Sequence, residues 1–170
     1  MTAITWLVPG IALSLTVAFV ASARVGRALG VPRASAMLLI ASVGWIVAAT
    51  LTPISSIDRR LSAACDFSRL GPPSPSDLAS VNDTSLNVLL FVPLGIAVAL
   101  AVRRPSSLLL VVAAVAAPVL IEALQLWLPA LRRGCQSADV VDNLLGLAVG
   151  LCIGVAMTLA GWAWSLRRSP

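Results

Sequence analysis

The sequence predicts an all-α integral membrane protein, a bundle of about five transmembrane helices. Three observations point there. Apolar residues make up 59% of the chain and charged residues only 11%, whereas a soluble domain is about half apolar and about a quarter charged. Mean hydropathy is +0.97. The apolar residues also gather into runs near the ~20 residues that a helix needs to cross ~30 Å of hydrocarbon. In water such a chain cannot cover itself with polar surface, while in lipid an apolar exterior carries no penalty.

The runs define the elements in order. The first spans Ile4–Ala23, the second Ala34–Leu51 and the third Leu86–Val102; the fourth runs from about Ser107 to Leu128 and the fifth from about Val140 to Trp164. The first resembles a signal peptide, with Ala21-Ser22-Ala23 as a cleavage site. Yet no positive charge precedes it, and Arg24 and Arg27 follow it. That order is the reverse of a secretory signal and predicts a retained helix. The domain reading is two N-terminal helices over 1–51, an extracytoplasmic loop over 52–84 and a three-helix unit over 85–170, all in one membrane domain. Within the loop, Ser74-Pro75-Ser76-Asp77 reads as turn chemistry.

Charge sets the expected orientation. All twelve basic residues are Arg, with no Lys and no His. A pI near 11 would suggest nucleic acid in a soluble chain. Here the arginines lie between apolar runs and read as topology signals, which argues against a nucleic-acid partner. Arg24, Arg27, Arg33, Arg103, Arg104, Arg167 and Arg168 fall on one side, and Arg59, Arg60, Arg69, Arg132 and Arg133 on the other. The second set shares its loops with Asp58, Asp66, Asp77 and Asp83. The bias predicts an outside N-terminus and a cytoplasmic C-terminus.

Without His, the commonest base and metal ligand is absent, so chemistry falls to carboxylates, amides, Arg, hydroxyls and Cys. A charge in a membrane helix is costly, about 2.5–3.5 kcal/mol at the centre on insertion scales. Three groups bear that cost or sit at its edge. Asp83 and Asn87 lie i,i+4 at the start of the third helix, sharing a face. Glu122 and Gln125 lie i,i+3 near the end of the fourth. Asp139, Asp142 and Asn143 open the fifth. The topology brings all three to the outer third of the membrane, with Glu122 six residues from its helix end, about 9 Å deep at ~1.5 Å per residue. Arg132 and Arg133 sit in the short loop between, and one of them is expected to fold over the carboxylates as a two-pronged donor. Crowded acids need Arg, shared protons or a metal, and oxygen ligands would suit a divalent cation such as Mg²⁺ or Ca²⁺.

Plain structural readings stand beside these. Asp83 and Asp139 suit helix N-termini, where a carboxylate meets free N–H groups. Glu122 suits a buried hydrogen bond or ion pair to Arg133 or Asn143. Gly146, Gly150 and Gly154 continue the row begun by Asp142, which predicts tight helix packing and turns Asp142 toward a neighbour. Pro93 and Pro118 each remove a helical hydrogen bond. Cys65 and Cys135 share the outer side, where an oxidising exterior permits a bridge, although spacing does not establish proximity. Cys152 reads as an ordinary buried apolar residue.

The polar residues also form a recognisable order. Asp83-x-x-x-Asn87-x-x-x-Phe91-x-Pro93-Leu94-Gly95, followed by Glu122-x-x-Gln125, Arg133 and Asp139-x-x-x-Asn143-x-x-Gly146, resembles the two signatures of VanZ-like proteins. The resemblance covers Asp83 to Gly154, about half the chain. It departs at Gln136, where the family often has an acid, so the site is expected to be altered there. The resemblance implies a multi-pass protein of the bacterial cytoplasmic membrane, in a family linked to reduced teicoplanin susceptibility, with no assigned reaction. A ligand set of Asp83, Asn87, Glu122, Gln125, Arg133, Asp139 and Asn143 would then engage an amphiphilic, lipid-linked or lipoglycopeptide ligand, with no resident cofactor. Two other readings stay open: a membrane enzyme using Glu122 or Asp139 as general base, and a structural or assembly protein. The oligomeric state is not read.

Overall fold

The structure, a computed structural model, describes residues 4–53, 64–102 and 108–168. Asp58, Arg59, Arg60, Arg103, Arg104 and Ser107 lie outside the described residues. The elements in order are α1 (Ile4–Leu29), α2 (Arg33–Thr50), α3 (Pro75–Ala79), α4 (Asp83–Ala101), α5 (Leu108–Trp127), a 3-10 turn (Pro129–Leu131) and α6 (Ser137–Arg168). The five long helices are long and apolar enough to cross a membrane.

Three boundaries differ from the sequence reading. Arg24 and Arg27 lie within α1, which continues to Leu29. Its apolar run ends sooner, but nothing breaks the helix until Gly30, which takes a left-handed φ of 67°. The expected turn at Ser74–Asp77 is the start of α3. Ser74 caps Asp77 and the Asp77 side chain returns the bond, a reciprocal capping box with Pro75 in the first turn. Asn82, rather than Asp83, caps α4, paired in the same way with Ser85.

The bundle is built for lipid. Val8, Leu13, Phe19, Val20, Leu109, Val112 and Leu120 all face outward, while the core is a thin line of Phe91, Leu94, Ala97, Val98, Ala114, Ile121 and Leu147. Apolar surface drives little association between helices inside a bilayer, so close packing must do that work. The closest-packed pair is α4 and α6. They run parallel, with Gly146 against Val88, Gly150 against Val92 and Gly154 against Ile96 and Ala99. A Cβ on Gly146 or Gly150 would strike the backbone carbonyl of Val88 or Val92. The row begins at Asp142, which is fully buried. Cys152 stands off this row and is exposed; it was expected to be buried, but its angular position turns it outward.

α1 and α2 form an antiparallel hairpin. At its turn the Arg33 guanidinium donates to the Ser22 hydroxyl and the Phe19 carbonyl, 3.1 Å each, and stacks 4.9 Å over the Phe19 ring. At the opposite end, residues 64–71 are fastened to the start of α6. Cys65 and Cys135 form a disulfide. Beside it the Asp66 amide donates to the Cys135 carbonyl and the Ser137 amide to the Asp66 carbonyl, both 2.9 Å.

Candidate functional site

The C-termini of α2 and α5 and the N-termini of α4 and α6 meet at one end of the bundle, and the polar residues singled out in the sequence lie there. Several are fixed by definable contacts. The Asn87 amide, one turn into α4, donates to Asp139 Oδ1 at 2.8 Å, which joins the parallel helices above their glycine seam. Glu122 is buried at 5% exposure and accepts the Gln136 backbone N–H at 2.7 Å. That bond ties α5 to the loop entering α6; the partner is neither Arg133 nor Asn143. The Gln125 amide donates to the Thr50 carbonyl at 2.9 Å, occupying one of the carbonyls that a helix C-terminus leaves unpaired.

Arg133 takes a different role from the one expected. Its Nε donates to the Thr52 carbonyl at 3.2 Å and its Nη2 to the Ala49 carbonyl at 2.6 Å. It therefore closes the C-terminal turn of α2, where a cation is favoured by the helix dipole. Its charge still acts on Glu122, as does that of Asp139. A buried carboxylate is paired elsewhere. Arg69, in the 64–71 loop, donates to Asp142 Oδ2 at 2.5 Å, and its own carbonyl accepts the Ser137 hydroxyl at 2.7 Å. Asp142 Oδ1 and Asn143 Oδ1 are both buried without a hydrogen-bond partner among the described residues.

A cavity of about 450 Å³ opens between α2 and α4 at this end. Its polar wall carries Thr50, Asp83, Asn87, Arg133, Gln136 and Asp139; its apolar wall carries Leu7, Trp45, Leu86, Leu89, Leu90 and Pro93. The structure thus divides the expected ligand set. Asp83, Asn87, Arg133 and Asp139 reach the cavity. Glu122, Gln125 and Asn143 do not line it and are buried. Of the two candidate bases, Asp139 is the one on the wall. Among the described residues no group of three or more acidic, Cys or His side chains could hold a metal ion.

Sequence reasoning missed Arg69 and gave Gln136 only as a departure. Gln136 is both a cavity residue and the donor that fixes Glu122. Arg69 had a usable signal: it lies four residues beyond Cys65, so a bridge to Cys135 delivers it to the first turns of α6.

The fold and this polar end define the class, a multi-pass α-helical membrane protein with a partly polar cavity among its helix ends. Within that class the chain belongs to the VanZ/LLP1 family, whose pattern matches residues 6–159. No curated protein and no solved structure matches it.

Proposed function

We propose that this VanZ-like protein binds an amphiphilic or lipid-linked ligand in the outer leaflet of a bacterial cytoplasmic membrane, and thereby lowers susceptibility to teicoplanin-type glycopeptides. One observation carries the reading: the cavity is polar at the helix ends and apolar below them. An amphiphile needs that order of chemistry, with its head near the membrane surface and its tail in hydrocarbon. The outward orientation rests on the arginine bias, and the Cys65–Cys135 bridge supports it, since disulfides persist in oxidising compartments.

Asp83, Asn87, Arg133 and Asp139 are the contacts to the head group in this reading. Glu122, Gln125 and Asn143 hold the wall in place. A second reading, an enzyme acting on a lipid-linked substrate, draws on Asp139, the carboxylate in the cavity. It would serve as general base with Asn87 orienting it.

A susceptibility profile of a deletion strain tests the proposal. Teicoplanin susceptibility rises on deletion and returns to the parental level with the wild-type gene. Asp139→Asn fails to complement although it reaches the membrane at normal abundance. Glu122→Ala lowers abundance, because the loop holding Gln136 comes loose. Full complementation by Asp139→Asn refutes the binding role.

A further inference from the structure

α4 turns one face to the cavity, and that face changes character along the helix. Asp83 and Asn87 occupy its first turns, with Leu86, Leu90 and Pro93 on the same face below. These positions follow the i, i+3, i+4, i+7 spacing of one helix face. Asp83 and Pro93 are ten residues apart, about 15 Å at ~1.5 Å per residue. That is about half of a ~30 Å hydrocarbon core, so the face descends through roughly one leaflet. Across the gap stands Trp45 of α2. Trp45 is 48% exposed and Leu89 is 63% exposed, although both line the cavity. Side chains that face both inward and outward form a rim. The cavity is therefore open sideways, between α2 and α4, at lipid depth.

Size and charge narrow the occupant. At ~30 Å³ per water-sized group, about 450 Å³ admits on the order of fifteen such groups. One sugar ring and the first methylenes of a chain fill that space, and the rest of an amphiphile lies outside it. Asp83 and Asp139 put two carboxylates on the wall against one guanidinium, that of Arg133, whose Nε and Nη2 are directed at the Thr52 and Ala49 carbonyls. Ionised carboxylates only accept hydrogen bonds, and hydroxyls are good donors to them. A phosphate head would instead set anionic oxygens against two anions.

Resting on the amphiphile reading above, we infer that the cavity takes the uncharged, hydroxyl-rich head of a bilayer amphiphile, admitted sideways between α2 and α4. The head lies against Asp83, Asn87, Arg133 and Asp139. The chain follows Leu86 and Leu90 and leaves past Leu89 into lipid.

The test uses the full chain in phosphatidylcholine nanodiscs and two photoreactive probes with the same diazirine-bearing dodecyl chain, one a glucoside and one a phosphate. Wild type is labelled saturably by the glucoside, with the label on α2 and α4, and the phosphate competes poorly. Asp139→Asn lowers apparent affinity about tenfold, the effect of losing one charge-assisted hydrogen bond. Leu89→Trp and, independently, Leu86→Trp block the gap and reduce labelling at least about tenfold; both side chains are more than half exposed, so melting temperatures stay at the wild-type value. Labelling that saturates and responds to Asp139→Asn but ignores both tryptophan variants overturns sideways access and leaves the amphiphile reading standing. Equal or stronger labelling by the phosphate overturns the hydroxyl-rich head. No saturable labelling by either probe sinks this inference and the amphiphile reading together.

Discussion

Arg69→Met keeps most of the aliphatic stem and removes the guanidinium. Asp142 has 1% of its side chain exposed, and its Oδ2 receives the 2.5 Å bond from Arg69. Its Oδ1 already has no partner. The variant therefore strands a carboxylate between α4 and α6 with neither cation nor donor from Arg69. Removing one member of a buried pair costs about 3–5 kcal/mol. The Arg69 side chain is 30% exposed, so water screens part of the attraction, and about 2–3 kcal/mol is the expected loss. Asp142→Asn removes the charge and leaves an arginine that can turn to water, at about 1 kcal/mol. The double variant strands nothing, so its loss is about 1–2 kcal/mol instead of the summed ~3–4, a coupling of about 2 kcal/mol. The assay is reversible unfolding in mixed micelles of rising SDS fraction, followed by circular dichroism, for all four proteins. Strictly additive losses would refute the argument, as would an Arg69→Met protein as stable as wild type.

The remaining predictions test the staple, the seam and the α3 cap. Reduction slows wild type on a denaturing gel and leaves Cys65→Ser unchanged; the bridge spans a sequence separation of 70 residues, for which chain entropy allows about 4 kcal/mol. That figure is an upper bound, because α4 and α5 stay inserted when the bundle comes apart and the reference chain is not random. Gly150→Leu drives a side chain into the Val92 carbonyl and lowers stability by about 1–3 kcal/mol or more. Gly161→Leu, on the same helix with nothing near it, leaves the melting temperature unchanged; equal effects would remove the seam from the account. The Ser74 hydroxyl and amide bonds hold the Asp77 carboxyl below its ordinary value of 3.8. A depressed folded value means the cap's contribution is complete above 3.8 and fades as pH falls through the lower folded value. Carboxyl chemical shifts place the Asp77 midpoint below 3.8, and Ser74→Ala moves it upward.

The spanning helices were legible because lipid imposes a strong constraint: every backbone polar group must pair within its own helix, so long apolar runs have few alternatives. The glycine row was legible for a related reason, since only small residues permit the approach seen at Val88 and Val92. Which carboxylates face the cavity was not legible. Helical spacing places Asp139 and Asn143 on one face, yet Asp139 lines the cavity and Asn143 does not. The neighbour at each angle decides that. Arg133 misled for a similar reason. Its charge suggested carboxylates, but the carbonyls of Ala49 and Thr52 are backbone acceptors with no side-chain signature. Cys152 was misplaced because a lone thiol in an apolar helix is equally at home against protein or lipid.

The contacts also determine which part of the bundle can give way. α4 cannot slide on α6, because the carbonyls of Val88 and Val92 lie against glycines that leave no slack. The Asn87–Asp139 bond locks the same pair at its polar end. The cavity lies on the other side of α4, against α2, where packing is looser. There the α1–α2 hairpin is held at the polar end by bonds from Gln125 and Arg133 to its last carbonyls. A change in cavity width must therefore come from the hairpin swinging about those tethers while α4 and α6 stay fixed. In the proposed binding role, Gln125 and Arg133 would act on a ligand without touching its chain. They set the width of the gap by holding the end of α2. Removing either tether, as in Gln125→Ala, should loosen the grip on every amphiphile alike, whereas changes at Asp139 should discriminate between head groups.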